Sequence, residues 1–104
     1  MGNVISKQLS KSCVMKYYIL GLNDADFFNS LLTFIQQEFD ASLINIDEGL
    51  FTKKAYLNVG NITLVLEHHD DIGNYFYSND LNSKEVTERL SRILESTLHN
   101  CLYD

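Results

Sequence analysis

The sequence predicts an α+β fold: a two-layer domain in which a mostly antiparallel sheet of four or five strands is covered on one face by two amphipathic helices, in the order β-α-β-β-β-β-α. Three observations carry this. The segment AYLNVGNITLVLEH (55–68) alternates apolar and polar residues on both sides of a two-residue Gly60-Asn61 loop, the pattern of a tight hairpin. Two other stretches repeat their apolar residues every three or four positions, the period of a helix with one buried side. The connections between strands are short, and short connections join antiparallel neighbours.

The elements follow in order. KYYILGL (16–22) is rich in β-branched and aromatic residues and reads as a strand. Asn23 then suits an N-cap, Asp24 and Asp26 suit the positive end of a helix dipole, and Phe28, Leu31, Leu32, Ile35 and Phe39 form an apolar stripe. SLINID (42–47) is a second strand, closed by a turn at Glu48-Gly49. In the hairpin that follows, the loop sets Val59 against Ile62, Leu57 against Leu64 and Ala55 against Leu66, all on one face, with Lys54 across from Glu67 on the other. A one-residue slip would destroy both matches.

An Asp-Asp-Ile-Gly turn leads into a further strand, NYFYS (74–78). The last helix runs from Ser83 to about Leu102. Asn82 is its expected cap, Glu85 completes a capping box, and Leu81 is placed to staple onto Val86. Val86, Leu90, Ile93, Leu94, Leu98 and Cys101 make its stripe, with Arg89 and Arg92 on the wet side. With helices on one face, the other face, carrying Tyr56, Asn58, Thr63, Val65, Tyr75 and Tyr77, is expected to stay at least partly open.

A chain of 104 residues is enough for one modest core. Residues 1–14 read as a flexible N-terminal arm or a short added strand, and 15–104 as a single domain; the periodic pattern begins beside Met15, a second candidate start. Gly2 with Ser6 fits the short myristoylation pattern, which arises often by chance. No apolar run approaches the roughly 20 residues of a membrane helix, and none has the form of a signal peptide. Two cysteines, Cys13 and Cys101, make no framework of bridges, so a reducing cytoplasm is the expected compartment.

The net charge of −6 is unevenly distributed. Residues 15–83 hold ten acids against Lys16, Lys53 and Lys54, whereas residues 1–14 hold two lysines and no acid. An acidic body of this kind repels nucleic acid and anionic membranes and attracts basic proteins. Solubility alone also accounts for an acidic surface.

The run His68-His69-Asp70-Asp71 raises the question of a metal or catalytic site. Neighbours on a strand point to opposite faces, so His68 continues the buried side of Leu64 and Leu66 while His69 goes with Val65 and Glu67. Zinc takes three or four ligands and the remaining histidine, His99, is far along the last helix; the spacing of a calcium loop is missing too. There is no nucleophile elbow, phosphate-binding glycine loop or Cys-x-x-Cys. The expectation is a strand end with turn carboxylates, no metal or cofactor, and no enzymatic activity.

A small acidic strand-helix-strands-helix chain that opens with MKYYILGL and carries GNITLVLEHHDDIGNYFYS resembles, over roughly residues 15–100, the immunity proteins of bacterial contact-dependent growth inhibition and related polymorphic toxin systems. The resemblance lies in size, charge and element order. It implies a non-catalytic cytoplasmic protein that binds the C-terminal toxic domain of a cognate toxin, one to one, often a nuclease with a basic cleft. No family residue transfers by motif.

The candidate toxin-binding residues therefore come from the physical reading: Asp70, Asp71, Asn74, Tyr75 and Tyr77 beside His69 at one sheet end, with Asp47 and Glu48 in another turn. Carboxylates there would mimic phosphate and steer encounter, and the aromatic rings would anchor the complex. The alternatives are an acidic binding protein resembling secretion chaperones, and a small metal-assisted hydrolase built on residues 68–71.

Overall fold

The computed structural model describes residues 4–103, with side chains through residue 100. Its elements are β1 (Ile5–Leu9), β2 (Met15–Ile19), α1 (Ala25–Phe39), β3 (Ser42–Glu48), β4 (Thr52–Val59), β5 (Ile62–His69), β6 (Gly73–Tyr77) and α2 (Lys84–Tyr103). The fold is α+β. The strands form one sheet in the order β1-β2-β6-β5-β4-β3, antiparallel at every pairing. α1 carries the chain from β2 across to the far edge at β3 and packs on β4 and β5, while α2 lies toward β1.

The sheet has six strands rather than four or five because part of the leader joins it. Residues 5–9, expected in a flexible arm or short added strand, are the strand: β1 pairs with β2 from Ile5↔Ile19 to Leu9↔Met15. Its apolar content is slight, so its hold comes from elsewhere. The Glu95 carboxylate on α2 accepts the Val4 and Ile5 backbone N–H groups at 2.8 and 3.1 Å, and Lys7 pairs with Glu88 at 2.8 Å. Gly2 and the Cys101 side chain, both singled out in the sequence, lie outside the described residues.

The β4–β5 hairpin has the expected register, with Val59↔Ile62, Leu57↔Leu64, Ala55↔Leu66 and Lys54↔Glu67. Gly60 takes the positive φ of 59° that the two-residue loop requires. All six apolar members are buried, in a core shared with Phe28, Leu31 and Ile35 of α1, Leu90 and Leu94 of α2, and Tyr17 and Phe76, whose rings stack 4.9 Å apart. Lys54 and Glu67 are opposite in register, yet among the described residues no ion pair joins them. The Glu67 carboxylate turns instead toward the tyrosines of β6 and accepts from the Tyr77 hydroxyl at 3.0 Å.

Both helix starts shift by one residue from the sequence reading. Asp24, not Asn23, caps α1, its carboxylate accepting the Phe27 N–H at 3.2 Å. α2 begins at Lys84, and the Thr87 N–H bonds the Ser83 carbonyl at 3.0 Å. The Ser83 hydroxyl donates back to the Asp80 carbonyl. Leu81 makes no staple; it is 99% exposed. On β3 the register slips between Leu43 and Asn45, a bulge that leaves Ile44 exposed on the sheet edge. Among the described residues no helix is long and apolar enough to cross a membrane.

Candidate functional site

One end of the sheet collects three connections: the β3–β4 turn, the β5–β6 turn and the loop from β2 into α1. They are tied together by backbone. The Asp70 N–H donates to the Phe51 carbonyl at 3.0 Å, joining the first two turns, and the Gly49 N–H closes its own turn on the Thr52 carbonyl at 2.8 Å. The third connection is tied in by Asn74 at the start of β6, whose side-chain amide donates to the carbonyls of Leu22 and Asp24. Turns tied this way have little backbone freedom left to lose on binding.

Asp47, Glu48, Asp70 and Asp71 all lie exposed at this end, as do Asp24 and Asp26 at the start of α1. Asp47 and Glu48 sit opposite Lys54 and Lys53 at the end of the β3–β4 pairing. The Lys53 ammonium is directed to the helix side, 5.3 Å over the Phe28 ring. The same two turns carry three exposed apolar side chains that the sequence reading did not select: Leu50 (87% exposed), Phe51 (58%) and Ile72 (50%). Their signal was present. GLF and DDIG place large apolar residues inside turns, where no strand or helix period can bury them.

The two histidines divide as the strand alternation requires. His68 is buried on the helix side, its ring edge-on to Phe28, with Nδ1 2.9 Å from the Asn74 amide oxygen and Nε2 3.4 Å from an Asp70 carboxylate oxygen. His69 faces the other way, partly exposed, and its Nδ1 accepts the Asp71 N–H at 3.0 Å. Among the described residues no three His, Cys, Asp or Glu side chains gather where they could hold one ion.

Three of the residues expected to dock do not face outward. Asn74 is 1% exposed and tied into the core between His68 and the β2–α1 loop. Tyr75 and Tyr77 are on the helix-free face, as the alternation placed them, but both are buried together with Val65. The reason is ring size. Their rings lie 6.2 Å apart and nearly parallel, Tyr18 flanks Tyr75 at 4.9 Å, and the Lys16 ammonium covers both at 5.5 and 5.0 Å. Burial raises both phenols well above the usual tyrosine range, and the Glu67 carboxylate beside them adds to the effect.

Asp47, Glu48, His69, Asp70 and Asp71 remain at the surface, and Leu50, Phe51 and Ile72, not the tyrosines, are the exposed large apolar side chains of these turns. Exposed apolar side chains and carboxylates together on linked turns suit contact with a basic, partly apolar surface. Compared with protein-family models, with curated proteins and with solved structures, the chain matches none of them.

Proposed function

We propose that this chain is a non-catalytic binding protein that neutralises a basic protein partner, the toxic domain of a polymorphic-toxin system, by laying this end of the sheet over its active cleft. One observation carries the reading: two turns joined by the Asp70 N–H bond to the Phe51 carbonyl expose carboxylates, Asp47 and Glu48 at one and Asp70 and Asp71 in the other, together with the large apolar side chains of Leu50, Phe51 and Ile72. The carboxylates steer approach to a cleft lined with Lys and Arg; the apolar side chains, desolvated on contact, slow departure. A one-to-one complex in the bacterial cytoplasm, with no cofactor and no chemistry of its own, belongs to this reading.

The experiment is inhibition of the toxic domain encoded beside this gene. An equimolar amount of the protein is expected to abolish the domain's activity. The double variant Asp70→Asn, Asp71→Asn should weaken the complex by tenfold or more at low salt, mostly through slower association, since charge pairs at a rim act on the encounter rate (about 1.4 kcal/mol per tenfold). Full toxin activity beside an excess of the folded protein would defeat the proposal.

A further inference from the structure

We propose that His68 is a positioning residue for Asp70: a clasp that grips this carboxylate when the imidazole carries two protons and lets it go when it carries one. The Asn74 amide nitrogen lies 2.9 Å from the Leu22 carbonyl and 3.1 Å from the Asp24 carbonyl. Backbone carbonyls only accept, so the nitrogen must face them and the amide oxygen must face away. That oxygen is 2.9 Å from His68 Nδ1 and is itself only an acceptor. Nδ1 therefore carries a proton. In the neutral ring Nε2 is then a bare lone pair.

Nε2 lies 3.4 Å from Asp70 Oδ1. With the neutral ring this contact sets a lone pair against a carboxylate and holds nothing. A second proton, on Nε2, turns it into a charge-assisted hydrogen bond. The other charged groups around the ring come from each neighboring element. On β4 the cross-strand partner is Lys53, which opposes a second positive charge, and on β3 Glu48 lies across from Lys53. At the start of α1 Asp24 has its carboxylate on the Phe27 N–H. β6 supplies Asn74, which is neutral. Asp70 is the carboxylate in reach of Nε2, and it is exposed enough to move.

The consequence for docking rests on the reading above. Acidification pins Asp70 against its own protein and cancels its charge, so affinity for a basic partner should fall, by about fivefold for one exposed ion pair. A partner cation at that place competes with the imidazolium and favors the singly protonated ring.

The clasp is tested on the free protein, in the His69→Gln variant so that the neighboring ring does not titrate. Ring nitrogen spectra are expected to show the neutral His68 protonated on Nδ1, and the Asp70 carboxylate carbon signal should move in step with the protonation of His68. Asp70→Asn, an exposed change that leaves the core intact, should make exchange of the Nε2 proton several-fold faster. A neutral ring protonated on Nε2, or an Asp70 signal indifferent to His68, would overturn the clasp whatever the protein binds. A clasp found intact in a protein that fails to inhibit the toxic domain would overturn the docking reading alone.

Discussion

The Tyr77 hydroxyl donates a 3.0 Å hydrogen bond to the Glu67 carboxylate on the sheet face that carries no helix, and Glu67 is only 7% exposed there. A charged group on an uncovered sheet face would ordinarily stand in water. Here the rings of Tyr75 and Tyr77 roof it, and the hydroxyl supplies part of what water would have given. Tyr77→Phe keeps the roof and removes the donor. It should cost about 1–3 kcal/mol in a denaturant titration, because a buried acceptor is left underbonded. Glu67→Gln, which keeps an acceptor without the charge, should cost less.

Stability should fall at high pH through the same class of groups. Burial raises the Tyr17 phenol from 10.0 to about 12, helped by the Glu88 carboxylate that accepts its hydrogen bond, and Tyr75 and Tyr77 are raised as well. The unfolded chain loses these protons near pH 10 while the folded chain keeps them. The folded state thus binds more protons in that window, and stability declines as pH rises. The contribution is complete below pH 10 and is lost between 10 and about 12 for Tyr17. Urea midpoints should hold level to about pH 9 and drop above 10, with a shallower drop in Tyr17→Phe.

Phe51 separates docking from folding. Its ring is more than half exposed and belongs to neither buried cluster, so Phe51→Ala should leave the urea midpoint within about 0.5 kcal/mol of the parent. If the ring anchors a partner, the same change should weaken the complex by at least about 2 kcal/mol, some thirtyfold, chiefly through faster dissociation. Parallel calorimetry of binding and unfolding on one preparation reads both.

The hairpin of β4 and β5 was legible because two independent patterns, apolar pairs on one face and a charge pair on the other, allowed a single register. The strand β1 was not. ISKQL has little apolar content, and what fixes it is Glu95 on its backbone N–H groups, about ninety residues away in sequence. The alternation placed Tyr75 and Tyr77 on the correct face but could not show that these two rings, with Tyr18 beside them and the Lys16 ammonium over them, cover one another there. The acidic turns of the site were legible as composition. The exposure of Leu50, Phe51 and Ile72 was legible only from their place in turns, where no strand or helix period can bury them, and not from any aromatic pattern in the strands.

The β2–α1 loop shows a short-range reading displaced by a long-range contact, and it yields a pair of opposed expectations. Asn23 and Asp24 both suit an N-cap by type. Asn23 is occupied elsewhere, its amide packed on Gly73, where an added Cβ would come within 2.5 Å of the Asn23 side-chain oxygen. Gly73 also holds φ at +103°, a conformation that side chains disfavor, so Gly73→Ala meets both a clash and backbone strain. It should destabilise by about 1–3 kcal/mol and disturb the turn that carries Asp70 and Asp71. Asp24→Ala should cost about 1 kcal/mol through the lost cap, and Asn23→Ala less than that. Equal losses at Asn23 and Asp24 in urea titrations would mean that the cap is shared and that α1 starts one residue earlier than Ala25.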